Sequence, residues 1–474
     1  MVSCNLRNKM ISESINNTKE RIKKNFDDKD FLELFKKGGV AMLFRIGGQL
    51  LGFLLTFVIA YFFGANGLGD YVLAIVVLKV FTLVSKLGLD TASIKYIAAY
   101  CAEKSYEGIL NFRKKAITLI AFVSILSSLL MYLGSDIIAE FIGANANDIK
   151  ITSFFVLPMS IFIFHYQNMR GLKEIGGYSF FFWMSQALFT LLAILVLTIF
   201  SKDESIPLYA YLIGLIFIST FSVFMFLYYL SNKKKKGEFI FLKNQSESIS
   251  NILKISLPLM LAQAVHFIMS WTDKLMLGIL DSPDVVSGMA TNSAQIGVYH
   301  TAFKLSMFAT IGLMAVKSIA SPKFAELYKK NEFKLLKKVT QQSTKLIFWT
   351  TLPLVLVFIV FSENLMLIFG EEFKVGVFSF IILSLGRVVV SFSGAAGNLL
   401  QMCGKQVIFM NVAVIGSIIN IVLNFSLIPI YGINGSAIAT MVSLVVFNLL
   451  LVYYVKREFG FYTFYIPFQN LNKS

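Results

Sequence analysis

The stretches LGDYVLA at residues 68–74 and IGVYHTA at residues 296–302 match each other, and each opens an apolar segment. A second pair matches as well: MRGLK at residues 169–173 and QMCGK at residues 401–405. The interval from Gly69 to Gly297 is nearly the same as that from Gly171 to Gly404. Because the members of both pairs are separated by nearly the same number of residues, the sequence indicates an internal duplication.

Apolar segments surround these motifs along most of the chain. Of the 474 residues, 56% are hydrophobic and 15% are charged, whereas a soluble domain carries about 25% charged residues. This composition excludes a water-soluble globule, a disulfide scaffold and a disordered chain. Twelve segments have the length of a transmembrane helix: about 41–63, 70–90, 116–134, 150–168, 177–200, 207–230, 252–279, 293–317, 345–362, 375–400, 408–429 and 433–455.

The duplication divides these segments into two sets of six. Because six is even, both sets enter the membrane from the same side, which predicts a parallel repeat about an axis normal to the membrane. We therefore expect an all-α polytopic membrane protein built from two six-helix bundles. The predicted divisions are an N-terminal arm at 1–40, bundles at 41–230 and 251–455, a Lys-rich linker at 231–250 and a tail at 456–474.

Loop charge sets the predicted orientation. Alternate loops carry most of the basic residues, including Lys233 to Lys236 in the linker, while the opposite loops contain almost none. Cytoplasmic loops collect Lys and Arg, so both termini and the linker are expected in the cytoplasm. The net charge of +16 then reflects topology, and no nucleic-acid partner is expected.

Ionisable residues inside the predicted spans are candidates for function, because charges at membrane depth are costly and usually face a cavity or a partner. The basic candidates for a substrate-binding cleft are Lys79, Lys304, Arg387, Arg45 and Lys86. The acidic candidates for ion coupling or gating are Asp273 and Asp90. Since most deep charges are cationic, the sequence favours an anionic substrate such as a phosphate or carboxylate.

For three of these candidates a purely structural role is the alternative to a functional one. Lys86 and Asp90 are at positions i and i+4 and can pair on one helix face. Arg45 lies near a helix end and can reach the membrane interface. Asp273 can pair with a lysine of a neighbouring helix.

Motifs of soluble enzymes are missing from the sequence. There is no G-x-x-x-x-G-K-[ST], H-E-x-x-H or G-x-S-x-G motif. The three histidines fall in different segments without ligand spacing, so we expect neither a metal site nor a cofactor. No loop can hold a catalytic domain, and two bundles can enclose a cleft that opens to each side in turn. We therefore expect a transporter rather than an enzyme.

Three stretches resemble the Wzx-like polysaccharide-export flippases of the multidrug/oligosaccharidyl-lipid/polysaccharide exporter superfamily: residues 86–98, WTDKLMLG at 271–278 and IGVYHTAFK at 296–304. The resemblance implies a flippase for undecaprenyl-pyrophosphate-linked oligosaccharides in the bacterial inner membrane, serving a surface polysaccharide such as the O-antigen of lipopolysaccharide. It implies membrane lipid, a polysaccharide polymerase and a chain-length regulator as further partners. An H⁺ or Na⁺ gradient or the membrane potential is the expected driving force, acting through Asp273.

Three other functions remain open at this point. A cation-coupled multidrug exporter of the same superfamily would need deep carboxylates, which are scarce here. A membrane glycan polymerase or ligase would need a large extracytoplasmic loop with catalytic groups, and the corresponding loops are short. A transporter of another superfamily with the same plan of six plus six helices is disfavoured only by the short motifs.

Overall fold

The fold is taken from a computed structural model, which describes residues 29–201, 203–239, 247–280 and 291–465. Side chains are described from residue 38 onward, except at Met269. Most of the predicted arm, part of the linker and the end of the tail therefore lie outside the described residues.

Helices account for almost all of the described chain. In order they are α1 Lys29–Ser85, α2 Leu89–Ala102, α3 Tyr106–Leu133, α4 Ser135–Ile142, α5 Ala146–Ser153, α6 Val156–Gly171, α7 Ile175–Ser179, α8 Gln186–Leu197, α9 Ile206–Lys235, α10 Ile249–Ile279, α11 Asn292–Phe308, α12 Ile311–Lys329, α13 Phe333–Val360, α14 Ser362–Leu367, α15 Val377–Ser393, α16 Ala396–Met402 and α17 Gln406–Phe459. A π-helical segment, Phe180–Ser185, joins α7 to α8, and a 3₁₀ segment, Glu371–Gly376, precedes α15.

Two of these helices are too long for a single crossing. At about 1.5 Å per residue, α1 and α17 would each exceed the hydrocarbon core of a bilayer, about 30 Å, more than twofold. Each breaks at one glycine, Gly64 (φ 66°, ψ −172°) in α1 and Gly432 (φ 53°, ψ −130°) in α17. Positive φ values favour glycine. We call the arms before and after these residues α1a and α1b, and α17a and α17b.

The number of crossings depends on how broken helices are counted. Among the described residues, eight helices are long and apolar enough to cross a membrane, and the bent pairs α5–α6 (52°) and α11–α12 (51°) raise the number to ten. Two of the eight are the broken helices α1 and α17. Counting each of their arms would give twelve crossings, the number that the sequence predicts. The count of twelve stays a prediction.

The helices extend beyond the predicted spans. Helix α3, which corresponds to the third predicted span, begins at Tyr106 rather than near residue 116. Helix α2 occupies much of the predicted loop before it. Likewise, α12 and α13 run through the predicted loop at 318–344. Hydropathy misses these turns because they are polar, although Lys, Glu, Leu and Ala are good helix formers.

The duplication is visible in matching helices of the two halves. Both α3 and α13 contain 28 residues, and the same interval separates their first positions, 106 and 333, and their last positions, 133 and 360. The short helices α4 and α14 begin at 135 and 362, again at that interval. This repeat confirms the predicted duplication of a helical unit, and the number of six crossings in each half stays a prediction with the count of twelve. The exact domain boundaries stay predictions.

Equivalent backbone positions hold the two halves together at one end. A Cβ on Gly69 would lie 1.7 Å from the carbonyl oxygen of Ser293, and a Cβ on Gly297 would lie 2.2 Å from that of Ala65. Ala65 and Ser293 are separated by the same interval as the two glycines, so they occupy equivalent positions of the repeat. The contact is therefore self-complementary, as a two-fold relation between the halves requires.

A second contact between the halves lies beyond the other end of α1b. Gly88, with φ 70°, precedes the first residue of α2, and a Cβ there would lie 2.1 Å from the carbonyl oxygen of Ser256 on α10. The halves thus touch near both ends of α1b. The space between these two contacts contains the candidate site.

Candidate functional site

Two adjoining cavities lie between the halves. The first, the cationic cavity, has a volume of about 410 Å³ and is lined by charged side chains that include Lys79, Lys274, Lys304 and Arg387. The second, the aromatic cavity, has a volume of about 690 Å³ and lies mainly against the N-terminal half. Four residues line both cavities: Lys79, Trp271, His300 and Lys304.

Four different helices supply the cations. Lys79 lies on α1b, Lys274 on α10, Lys304 on α11 and Arg387 on α15. Lys274 is 2% exposed and Arg387 is 9% exposed. The packing of the two halves brings these residues together, although they are distant in sequence. Three predicted residues, Lys79, Lys304 and Arg387, therefore share one cavity.

Aromatic rings contact three of these four cations. The Nζ atom of Lys79 lies 4.0 Å from the ring centre of Trp271, and that of Lys274 lies 4.4 Å from the ring centre of Phe303. The guanidinium of Arg387 lies 5.3 Å from the same Phe303 ring. Such contacts contribute about 2 kcal/mol when desolvated. Within the described residues, none of the four cations forms an ion pair.

Two nitrogen atoms in this cavity are buried without a hydrogen-bond partner among the described residues. They are Nε of Arg387 and Nδ1 of His300. Arg387 has a long polar contact, from Nη2 to Oγ of Ser306 at 3.5 Å. A buried donor without an acceptor is unfavourable. Among the described lining residues the cavity therefore has four cations against one carboxylate, that of Asp273, and a free donor at Arg387 Nε, which suits an anion.

Asp273 borders the cationic cavity but has neutral partners. Its Oδ2 accepts hydrogen bonds from Thr440 Oγ1 at 2.7 Å and from Tyr299 OH at 3.0 Å. Its Oδ1 accepts one from Asn424 Nδ2 at 3.1 Å. The carboxylate thus ties α10 to α11 and to both arms of α17. The alternative that Asp273 pairs with a lysine is not seen among the described residues.

Lys86 and Asp90 form the predicted pair. Lys86 Nζ lies 2.9 Å from Asp90 Oδ2, and both side chains are buried. Gln263 of α10 joins them: its Oε1 accepts from Lys86 at 3.0 Å, and its Nε2 donates to Asp90 Oδ1 at 3.1 Å and to Thr91 Oγ1 at 2.6 Å. Lys86 lines the aromatic cavity, yet its charge is neutralised. The cluster links the two halves.

Arg45 lies on α1a, away from the other cations. Its guanidinium is 4.7 Å from the ring centre of Trp183. In the part of the chain that the structure describes, Arg45 is not among the residues that line either cavity. Its link to the aromatic cavity is this contact with Trp183, which lines it.

Several residues that line the cavities are not predicted from the sequence. Lys274 is not among the candidates, although it is the most deeply buried of the four cations. Trp271 and Phe303 have no signal of their own in a sequence with 47 Phe and 3 Trp residues. One usable signal exists: Trp271 and Lys274 are at positions i and i+3 of one helix, a spacing that places side chains on one face.

Two family models match large parts of the chain. A family described as polysaccharide biosynthesis protein matches residues 34–328, more than half of the chain. The MatE family matches residues 258–426. A probable low-salt glycan biosynthesis flippase, Agl15 of Haloferax volcanii, is 27% identical over 48% of this chain and 44% of its own length. The chain thus spans less than half the length of this relative.

Longer matches cover nearly the whole chain. An uncharacterized membrane protein of Methanocaldococcus jannaschii, MJ1375, is 24% identical over 90% of this chain and 99% of its own. The structure of the lipid II flippase MurJ in an inward closed conformation matches with a TM-score of 0.68 at 18% identity, covering 87% of both chains. An inward-facing multidrug resistance MATE family transporter matches with a TM-score of 0.64 at 14% identity, covering 90% of this chain and 94% of that one.

The structural likeness shows the fold, and the family match covers most of both cavities. The predicted resemblance to Wzx-like flippases is confirmed. This chain belongs to the polysaccharide biosynthesis protein family, within the superfamily of multidrug, oligosaccharidyl-lipid and polysaccharide exporters.

Proposed function

We propose that this flippase moves an oligosaccharide linked to undecaprenyl pyrophosphate from the inner to the outer face of a bacterial cytoplasmic membrane. The observation that supports the proposal is the cationic cavity, in which four cations, Lys79, Lys274, Lys304 and Arg387, face the one carboxylate among the described lining residues, that of Asp273, and none of the four forms an ion pair. A diphosphate supplies the missing negative charge, and arginine and lysine both bind phosphate oxygens well.

The transport cycle follows from the two contacts between the halves. The diphosphate enters from the cytoplasm and binds the cations, while the lipid tail stays in the bilayer. Both ends are in contact in this structure, so entry requires the Gly88–Ser256 contact to separate and release requires the Gly69–Ser293 and Gly297–Ala65 contacts to separate. The headgroup leaves on the outer side, and the product serves a surface polysaccharide such as an O-antigen. Both termini remain in the cytoplasm.

Asp273 is the proposed coupling residue. It borders the same cavity as the cations and its carboxylate connects α10, α11 and α17. Binding of a proton or Na⁺ there would neutralise the carboxylate and weaken its hydrogen bonds to Tyr299, Asn424 and Thr440. An ion gradient or the membrane potential can thereby reset the relative position of these helices.

The proposal is tested by removing three charges from the cavity. The triple variant Lys79→Ala, Lys304→Ala, Arg387→Ala is compared with a matched triple variant on the surface, Lys334→Ala, Lys338→Ala, Arg457→Ala, whose side chains are exposed. Each removes two lysines and one arginine. In cells that require this flippase for surface polysaccharide, the cavity variant is expected to abolish display at normal protein levels. Normal display by the cavity variant would overturn the proposal.

The match of residues 258–426 to the MatE family favours a second candidate, a cation-coupled multidrug exporter. That function predicts resistance to cationic drugs on expression and dependence on Asp273. The positive charge of the cavity argues against cationic cargo. A drug-resistance assay of the same two triple variants separates the candidates, because neutralising the cavity should improve, rather than prevent, export of a cation.

A further inference from the structure

We propose that the aromatic cavity is the saccharide-binding subsite of this transporter, and that the wall formed by Phe182, Trp183 and Gln186 contacts the sugar rings. The inference rests on the proposed function, since it places the sugars beside the diphosphate. It goes further by assigning a chemical role to the larger cavity and to residues that carry no charge.

The wall includes a segment of unusual local structure. Residues Phe180–Ser185 form a π-helix, in which Phe182 and Trp183 line the aromatic cavity and the Phe181 ring behind them is buried. Short π-helical turns occur often at functional sites.

Neighbouring residues fix the orientation of this wall. A Cβ on Gly48 would lie 2.1 Å from the carbonyl oxygen of Trp183, so α1a packs directly on the π-helical backbone. Arg45 covers the Trp183 ring at 4.7 Å, and the Phe182 ring meets it edge to face at 4.6 Å. Rings held in this way form a preorganised surface, which lowers the entropy lost on binding.

A polar group stands in the same wall. Gln186 Nε2 donates to Thr190 Oγ1 at 3.1 Å and to the carbonyl oxygen of Tyr211 at 3.3 Å. These two bonds fix the amide, and its Oε1 is buried without a partner among the described residues. Oε1 is shielded from a water-sized group in this structure, so a sugar hydroxyl would supply the donor that it lacks once the amide turns toward the cavity that Gln186 lines.

Sugars fit both features of the wall. A pyranose ring presents a face of C–H groups that packs on aromatic rings and a rim of hydroxyls that donate hydrogen bonds. The cavity volume of about 690 Å³ lies within the roughly 300–1,000 Å³ of typical ligand pockets. An isoprenoid tail also packs on aromatic rings, but it has no donor for Gln186 Oε1, so the saccharide is the better occupant.

The position of the cavity agrees with the connectivity of the substrate. In a lipid diphosphate saccharide, the first sugar is bonded directly to the diphosphate. Lys79 and Lys304 line both cavities, so a diphosphate bound to them places this sugar at the entrance of the aromatic cavity. The cationic cavity is also bordered by Asp273 with its hydrogen-bonded partners, which leaves the aromatic cavity as the space for the sugar.

The test compares three probes by isothermal titration calorimetry on the purified full-length protein: inorganic pyrophosphate, geranyl diphosphate, and geranyl diphosphate carrying a disaccharide. The variants are Gln186→Leu and a matched control, Gln167→Leu, which lies in the same half but does not line the cavity. We expect the disaccharide to improve affinity at least about tenfold over geranyl diphosphate in the wild type and the control, since several hydrogen bonds contribute. In Gln186→Leu most of this gain should disappear, while pyrophosphate binds as before.

Other results would overturn the assignment. Equal affinities for the two geranyl probes in the wild type would show that the sugar binds elsewhere or not at all. If the disaccharide still improves affinity in Gln186→Leu, this wall does not recognise the sugar. If geranyl diphosphate binds more tightly than pyrophosphate and Gln186→Leu abolishes that difference, the cavity holds the lipid tail. Absence of pyrophosphate binding to the wild type would instead contradict the proposed function, so the two failures are distinguishable.

A second measurement locates the ligand. Trp183, Trp271 and Trp349 are the only tryptophans of the chain, so the double variant Trp271→Phe, Trp349→Phe leaves Trp183 as the single reporter. The disaccharide probe should change Trp183 emission and geranyl diphosphate should not. An identical response to both probes would contradict contact between the sugar and this ring.

Discussion

Replacement of Gly69 by alanine should separate the halves at the end where α1b and α11 begin. The new Cβ would lie 1.7 Å from the carbonyl oxygen of Ser293, whereas real Cβ contacts are essentially never shorter than 3.0 Å. The obstacle is backbone, which cannot rotate away, so the helices must move apart until this distance is restored. Overpacking of this kind costs about 1–3 kcal/mol, which would shift the equilibrium away from the closed end by roughly 5- to 150-fold.

Crosslinking measures this shift. Thr291 Oγ1 donates to Asn66 Oδ1 across the closed end at 2.5 Å, so cysteines at 66 and 291 in a variant lacking Cys4, Cys101 and Cys403 should react with a short bifunctional thiol reagent. Gly69→Ala should reduce the crosslinking rate at least about fivefold. The matched control is Gly176→Ala, because a Cβ there meets nothing within 4 Å. Equal crosslinking in Gly69→Ala and in the control would refute the claim that this contact holds the end closed.

Three further changes test other parts of the molecule. Asp273→Asn should make transport in proteoliposomes independent of H⁺ and Na⁺ gradients, and retained gradient dependence would exclude Asp273 from coupling. The same variant should lower the free energy of unfolding by about 1–3 kcal/mol, because charge-assisted hydrogen bonds are lost. Asp90→Asn should lower the free energy of unfolding by about 3–5 kcal/mol, because Lys86 stays buried without its partner. The double variant Lys86→Met, Asp90→Leu should recover most of that stability in thermal unfolding. No recovery would argue against the ion pair as the cause. Gly52→Leu, whose Cβ would lie 3.5 Å from Lys304 Nζ, should weaken diphosphate binding with little effect on thermal stability, and unchanged binding would place the ligand away from Lys304.

The sequence predicts the architecture well because the membrane imposes simple rules. The apolar segments locate the crossings, and the motifs around Gly69 and Gly297 reveal the duplication that the matching helices α3 and α13 confirm. Helix ends are predicted poorly, because the polar turns of α2, α12 and α13 continue as helix beyond the apolar stretch. Hydropathy measures the preference for lipid and carries no information about polar helix ends.

Individual residues of the site are predicted unevenly. Charge in an apolar segment identifies Lys79, Lys304 and Arg387, which the structure places in one cavity. The same rule cannot show that Lys86 is neutralised by Asp90 and Gln263, since Gln263 comes from the other half. The π-helical wall at Phe180–Ser185 has no signal in periodicity, because a single inserted turn alters the face of the following residues without changing composition.

Binding of inorganic pyrophosphate to the purified protein shows whether the cationic cavity holds phosphate. We predict that the wild type and the surface variant Lys334→Ala, Lys338→Ala, Arg457→Ala bind pyrophosphate with equal affinity. The cavity variant Lys79→Ala, Lys304→Ala, Arg387→Ala should bind at least about a hundredfold more weakly, since three charge-assisted contacts are lost. Equal binding by the cavity variant and the surface variant would show that these cations do not hold the phosphate groups of the substrate.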